Sequence, residues 1–332
     1  MSAPGSMSLP TAEIRPDVSV IIPAYRAQST IEAAIASALD QRGVEVEVVV
    51  VEDASPDSTA LIVERMAEAD SRIRLLRQPR NAGVGAARNR ALDAARGRWI
   101  ALLDADDRFA PGRLARLLRL AQEDGADMVA DNMVLVGPLG EQRGHVFRMD
   151  RLDLPEPLDA PTFVRGNVFL KYGYTLGYLK PLIRAEVLDR GIRFLTDMPV
   201  AEDFHFYLDC LLTGARWRLV PEGHYYYTVT PGSLSRSLSM SDMEAIRRRS
   251  LEAVGKASAL GRTDVVRALK ERHRTIELMI GHMRFVGALK SGAAAEAFGL
   301  AIRRPQLLPY IFKFGLESAQ KRIVRLRQPL VG

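Results

Sequence analysis

Trp99-Ile100-Ala101-Leu102-Leu103-Asp104-Ala105-Asp106-Asp107 passes from an apolar run into three carboxylates within four positions. The apolar part reads as a buried strand, and its last side chains arrive at the rim of a sheet. In open α/β sheets that rim is where ligands bind. Three negative charges a few ångströms apart oppose folding unless a divalent metal or another bound cation neutralises them. A helix start at Asp107, just before Pro111, would account for one of the three and not for the other two.

Outward from this stretch, strands and helices alternate. Val18-Ser19-Val20-Ile21-Ile22 reads as a first strand. Ser29-Thr30-Ile31-Glu32 has the form of a capping box, and Ile31, Ala34, Ile35, Ala38 and Leu39 follow at helical spacing up to Gly43. Residues 44–51 form a second strand, 58–69 a helix, 73–76 a strand, 83–95 a helix and 99–103 the fourth strand. A helix over 111–124 and a strand over 128–135 come next. Such alternation implies βαβ units and a mostly parallel sheet. From 137 to 161, Gly, Pro and charge suggest an excursion or hairpin. Order returns over 162–230, with a helix over 204–212 and a strand over 217–220, and from about 240 the chain is Ala-, Leu- and Arg-rich and helical.

With 332 residues and 47% hydrophobic content, the chain can bury a substantial core. Its single cysteine, Cys210, lies in an apolar run and reads as a core residue, which suits a reducing cytosol. No signal-type segment or membrane-spanning run is expected. The net charge is +6, and the segment from Arg303 onward carries that whole excess, with seven basic residues and one acid, Glu317. A balanced body argues against a nucleic-acid groove. Apolar residues from Leu307 to Leu326 interleave with these charges. That pattern suits either an anionic membrane surface or a terminal helix packed on its own domain.

The segments just past strands one, two and four are Pro23-Ala24-Tyr25, Glu52-Asp53-Ala54-Ser55 and Asp104-Ala105-Asp106-Asp107. A parallel sheet brings them to one crevice, where a nucleotide is expected. Arg80-Asn81-Ala82-Gly83-Val84-Gly85-Ala86-Ala87-Arg88-Asn89 opens the third helix, and Arg88 is placed to reach a phosphate. This is not a dinucleotide fingerprint, because it follows the third strand and lacks the last glycine.

Together with Val20-Ile21-Ile22-Pro23-Ala24-Tyr25, Val50-Val51-Glu52-Asp53-Ala54-Ser55-Pro56-Asp57-Ser58-Thr59 and Glu202-Asp203, these motifs resemble glycosyltransferase family 2. Transferases of bacterial exopolysaccharide assembly of the succinoglycan type are the most similar. The resemblance covers 17 to about 236. It implies an α/β GT-A fold, Rossmann-like, with a mostly parallel central sheet and a C-terminal helical appendage. The expected organisation is a disordered lead (1–16), a transferase domain (17–236) and a helical region with a basic amphipathic tail (237–332). Within the transferase domain, 17–135 would bind the nucleotide sugar and 136–236 would serve acceptor and catalysis.

The resemblance also implies roles. Pro23 and Tyr25 would border the nucleobase, and Asp53 would accept a hydrogen bond from a uracil-type base, although Asp53-Ala54-Ser55-Pro56 is also good turn chemistry. Asn81, Gly83, Arg88, Ala105 and Glu202 would line the donor. Asp104 and Asp106 would form a D-x-D element holding Mn²⁺ or Mg²⁺, with Asp104 near the ribose and Asp107 in support. Asp203 would be the catalytic base, at the start of a helix that favours its ionised form. His205 reads as a packing group, and His224 and Tyr225 to Tyr227 as strand residues. Many relatives carry a basic residue soon after the paired tyrosines; here Arg236, in a Ser- and Gly-rich loop, would replace it.

The implied activity is metal-dependent, inverting transfer from a nucleotide sugar, UDP-linked in expectation, to a glycan or lipid-linked acceptor. The protein would be cytoplasmic or peripheral on the inner face of the cytoplasmic membrane, without a nucleic-acid partner. A nucleotide-sugar-binding scaffold without turnover is the alternative. The segment 166–180, rich in aromatics and glycine, is either an acceptor platform or core.

Overall fold

The computed structural model describes residues 15–137, 140–148, 154–168, 175–198, 200–229 and 238–312. The chain divides into two compact units. One comprises 1–157, 179–196 and 213–230; the other comprises 158–178, 197–212 and 231–332. This division does not follow the contiguous boundary at 236, because two segments from within 136–236 group with the C-terminal helices.

The first unit is an α/β layer structure. Its strands are β1 (Val18–Ala24), β2 (Val46–Glu52), β3 (Ile73–Arg77), β4 (Trp99–Leu102), β5 (Arg108–Phe109), β6 (Met128–Val136), β7 (Gln142–His145), β8 (Leu182–Arg184) and β9 (Trp217–Thr228). They form one sheet in the order β3-β2-β1-β4-β8-β6-β9-β5, with β7 on β6. The long ladders β3-β2-β1-β4 and β6-β9 are parallel, whereas the antiparallel pairings of β8, β5 and β7 are short. The residues of β1, β2 and β4 are nearly all buried, as expected of central strands covered on both faces. Helices α1 (Ile31–Leu39), α2 (Thr59–Ala69), α3 (Val84–Ala94) and α4 (Arg113–Asp124) make the connections, with a short α6 (Ala185–Leu188) after β8.

Several local expectations need correction. Thr30 caps α1 without a side-chain bond, so the capping box does not form. Helix α4 begins at Arg113 after Gly112 in the left-handed region (φ 75°), so Asp107 caps nothing. Arg15 and Pro16, at the end of the expected 1–16 lead, are bonded to the turn before β4, since Arg15 donates to Arg96 O and Arg98 N–H donates to Pro16 O. β5 and β8, two and three residues long, carry no periodicity of their own and exist through pairing with distant strands. The stretch after β6 does turn back as a hairpin strand, β7.

The second unit is helical: α5 (Ala160–Arg165), α7 (Glu202–Leu212), α8 (Met240–Ala259), α9 (Thr263–Lys290) and α10 (Ala294–Arg303). Ser239 and Asp242 close a true capping box on α8. Phe163 stacks on Phe204 with centroids 5.5 Å apart, and the buried Arg272 guanidinium lies 3.8 Å over the Phe204 ring while its Nε donates to Asn167 O. Burial pushes Arg272 down to about 9. Cys210 is buried as expected, and burial pushes its thiol up to about 12.

Candidate active site

The carboxyl ends of β1, β2 and β4 lie side by side because the three strands are parallel neighbours. Asp53 N–H donates to Ala24 O (2.9 Å), and Ala27 N–H to Thr59 Oγ1 (2.9 Å), which stitches the loops after β1 and β2 together. Tyr25 stands exposed at this edge with the Arg26 guanidinium 5.3 Å from its ring centroid. Pro23 is half-buried within β1.

Asp53 is buried, and its carboxylate organises the glycine loop. Oδ1 accepts from Ala82 N–H (2.8 Å) and Gln78 Nε2 (2.8 Å), and Oδ2 accepts from Gly83 N–H (2.9 Å). Asn81 Nδ2 donates to Asp53 O (3.3 Å). These bonds take up donors at the start of α3 that the helix itself cannot satisfy. Gly83 is needed there for its φ of 88°, and Gly85 because a Cβ would stand 2.3 Å from Leu195 O.

The three carboxylates past β4 have three different fates. Asp104 is ion-paired twice, with Arg88 Nη2 at 2.8 Å from Oδ1 and Lys180 Nζ at 3.1 Å from Oδ2. Burial alone would raise its pKa, but the two cations overcome that and hold it well below the usual carboxylate range. Asp107 is buried and accepts from Tyr225 Oη (2.7 Å) and Thr228 N–H (2.8 Å), tying the loop to β9. Burial, then its acidic neighbours, push it well above its ordinary value. Asp106, half-buried, has no ion pair among the described residues, and burial together with Asp104 pushes it up to about 6. The cations that three crowded charges demand are therefore supplied in part by the chain itself.

Arg88 is buried against Phe194 and engaged with Asp104, so it does not stand open to a phosphate. Lys180, also buried, is a site residue that the sequence did not single out, because it comes from a segment seventy-six positions beyond Asp104. Behind this edge lies a second buried pair. Arg113 binds Asp131 (2.7 Å) and Lys180 O (2.7 Å), and its guanidinium lies over Phe109 and Tyr225. It ties α4 to β6 and to the chain that carries Lys180. Among the described residues no group of three or more His, Cys, Asp or Glu could by itself hold a metal. A cation here would be held by Asp106 and would complete its shell with oxygens of a substrate, as Mg²⁺ commonly does.

Glu202 and Asp203 lie in the second unit. The helix α7 starts at Glu202, two residues earlier than expected, so Asp203 sits in its first turn, half-buried, where the helix dipole favours negative charge. His205 is buried, as its packing role requires, and burial followed by nearby Arg272 pushes it down to about 3. In the described part of the 166–180 segment Asn167, Leu176, Gly177 and Leu179 are buried as core, Gly166, Val168, Thr175 and Tyr178 are half-buried, and Lys180 reaches Asp104. Arg236 and the basic segment 313–332 fall outside the described residues. Among the described residues, three non-glycine residues adopt positive φ: Arg26 (52°), Ala54 (56°) and Ala201 (67°). They are the immediate neighbours of Tyr25, Asp53 and Glu202. Backbone strain of this kind clusters at functional sites.

A glycosyl transferase family 2 model matches residues 19–183. The succinoglycan biosynthesis protein ExoO of Rhizobium meliloti is 35% identical over 305 residues, covering 89% of this chain and 86% of that one. ExoU of the same organism is 33% identical over 306 residues, covering 91% and 87%. Among solved structures, S. aureus TarS in complex with UDP-GlcNAc superposes with a TM-score of 0.61 at 22% identity, covering 90% of this chain and 92% of that one. The TarS complex with UDP gives 0.55 at 26% identity, covering 72% and 65%. The fold, the order of the motifs along it and the extent of the likeness to the succinoglycan proteins agree, and the chain belongs to glycosyltransferase family 2.

Proposed function

We propose that the protein transfers a sugar from a UDP-linked donor to a glycan or lipid-linked acceptor in exopolysaccharide biosynthesis, with a divalent metal and with inversion at the anomeric carbon. The observation that carries this reading is the division of labour past β4: Asp104 neutralised by Arg88 and Lys180, and Asp106 left without a cation of its own. The succinoglycan biosynthesis relatives favour the polysaccharide context, and the TarS complex with UDP favours the nucleotide. In this reading Tyr25 and Pro23 border the base. Asp53 shapes the loop Asn81–Gly83 that meets the nucleotide, and Asp104 is held for the ribose. Mn²⁺ or Mg²⁺ on Asp106 would neutralise charge on the departing diphosphate. Asp203, in the first turn of α7, takes the proton of the acceptor hydroxyl as that oxygen attacks. Residues 17–135 would form the donor half and 136–236 the acceptor half, with the protein working at the inner face of the cytoplasmic membrane.

Calorimetric titration of UDP with Mn²⁺, with EDTA and with Asp106→Ala tests the donor site. Metal-dependent binding lost in the variant is expected; equal binding by the variant overturns the assignment. Asp203→Asn is expected to retain UDP affinity while kcat falls about 10²–10⁴-fold, the usual worth of a positioned base. An Asp203→Asn enzyme with normal turnover would remove Asp203 from the chemistry.

A further inference from the structure

Helix α10 and the turn after it are fastened to α9 by one side only. Ala297 and Leu307 are buried, and Leu307 sits where α9 carries Gly281: a Cβ at that glycine would lie 2.9 Å from Leu307 Cδ2. With those two residues as anchors, the larger apolar side chains are left outside. Phe298 is 70% exposed, Ile302 65% and Phe312 68%, with Leu308 at 40%. Phe298 and Ile302 are four residues apart on α10 and so share a face. Single exposed hydrophobics are ordinary, but four large ones within fifteen residues, two of them on one helix face, call for a partner. The charge of this end of the chain is net basic: on α10 the exposed Glu296 is balanced by the exposed Arg303, Lys290 at the end of α9 is exposed, and Lys313, Lys321, Arg322, Arg325 and Arg327 follow in the sequence against one acid, Glu317.

We propose that this face of α10 and the following turn docks on an anionic lipid bilayer, with Phe298, Ile302, Leu308 and Phe312 entering the headgroup–acyl boundary and the basic residues meeting the lipid phosphates. Apolar insertion and electrostatic attraction act together in such helices. A second copy of this chain is the poorer occupant, because it would bring two positively charged segments together. Among the described residues no helix is long and apolar enough to cross a membrane, so the contact is peripheral. The proposal deepens the reading of a lipid-linked acceptor, and its test does not use activity. Full-length protein and the Phe298→Ser/Ile302→Ser variant are sedimented with vesicles of phosphatidylglycerol and phosphatidylcholine at low and high salt. The native chain is expected to sediment with a salt-resistant component, and the variant to lose that component with partitioning about tenfold weaker or more. Equal partitioning of the two proteins overturns the proposal. So does failure of the native chain to sediment, or a lower solution mass of the variant by light scattering, which would assign the face to self-association. UDP titration of the same variant keeps the two readings apart, since loss of vesicle binding with intact UDP binding bears only on the docking face.

Discussion

Glu47 and Asp106 are carboxylates at opposite ends of the same sheet, and the protein treats them in opposite ways. Glu47, at the start of β2, accepts from Ser19 Oγ, from Arg96 N–H and Nε and from Arg74 Nη1. Burial works to raise its pKa, but these donors outweigh burial and leave it lowered. Asp106, past β4, has burial and a like charge against it and is raised to about 6. The first carboxylate is an electrostatic clasp across β1, β2, β3 and the turn before β4. The second is a charge without an ion pair among the described residues, the pattern expected of a binding group rather than of scaffold.

The largest expected effect separates the two by ligand binding. Asp106→Asn abolishes metal-dependent UDP binding in calorimetry, whereas Glu47→Gln leaves UDP affinity within about twofold. If both variants lost binding equally, the contrast would be one of folding alone. Stability should move the other way. Glu47→Gln, which sets an amide against the Arg96 and Arg74 donors, costs about 1–3 kcal/mol in chemical denaturation at pH 7.

Asp106→Asn should instead stabilise the metal-free protein at pH 7 by up to about 3 kcal/mol. Its folded pKa lies above the unfolded value, so ionisation in the folded state is disfavoured. The resulting penalty is full above about pH 6 and absent below about pH 4. Denaturation curves across that interval should therefore show the advantage of the variant shrinking as the pH falls; a constant advantage would contradict the raised pKa. A pH-dependent effect confined to acid extends the comparison to the helical unit. His205 has a folded pKa of about 3, below the unfolded value, so the unfolded chain binds the proton first on acidification. Stability contributed by this residue is present above about pH 6.5 and lost toward pH 3 at up to about 1.4 kcal/mol per pH unit. His205→Gln should flatten that limb of the stability profile.

Much of the fold could be read from the chain because local pattern and tertiary role coincide in it. Val18–Ala24, Val46–Glu52 and Trp99–Leu102 are mostly apolar because both faces of a parallel sheet are covered, with Ser19 and Glu47 the buried polar exceptions, and the segments just past them carry the polar residues of the candidate site. The residues that escaped notice depend on pairing across long separations. β8 places Lys180 next to Asp104 from a segment whose sequence suggested aromatics and core. The Arg113–Asp131 pair joins a helix start to a mid-strand position, and nothing local marks either residue as buried. Three adjacent carboxylates announced a cation, but sequence proximity could not reveal that Arg88 and Lys180 answer part of that demand.

The positive φ angles at Arg26, Ala54 and Ala201 have an evolutionary consequence. A non-glycine residue in that region costs about 1–2 kcal/mol. Ala54→Gly is thus among the easiest routes by which selection for heat tolerance could gain stability, even after the entropy that glycine adds to the unfolded chain. The same change would loosen the turn that carries Asp53. Variants selected for thermal endurance alone should therefore drift toward glycine at these positions, and variants selected for turnover should keep the strain.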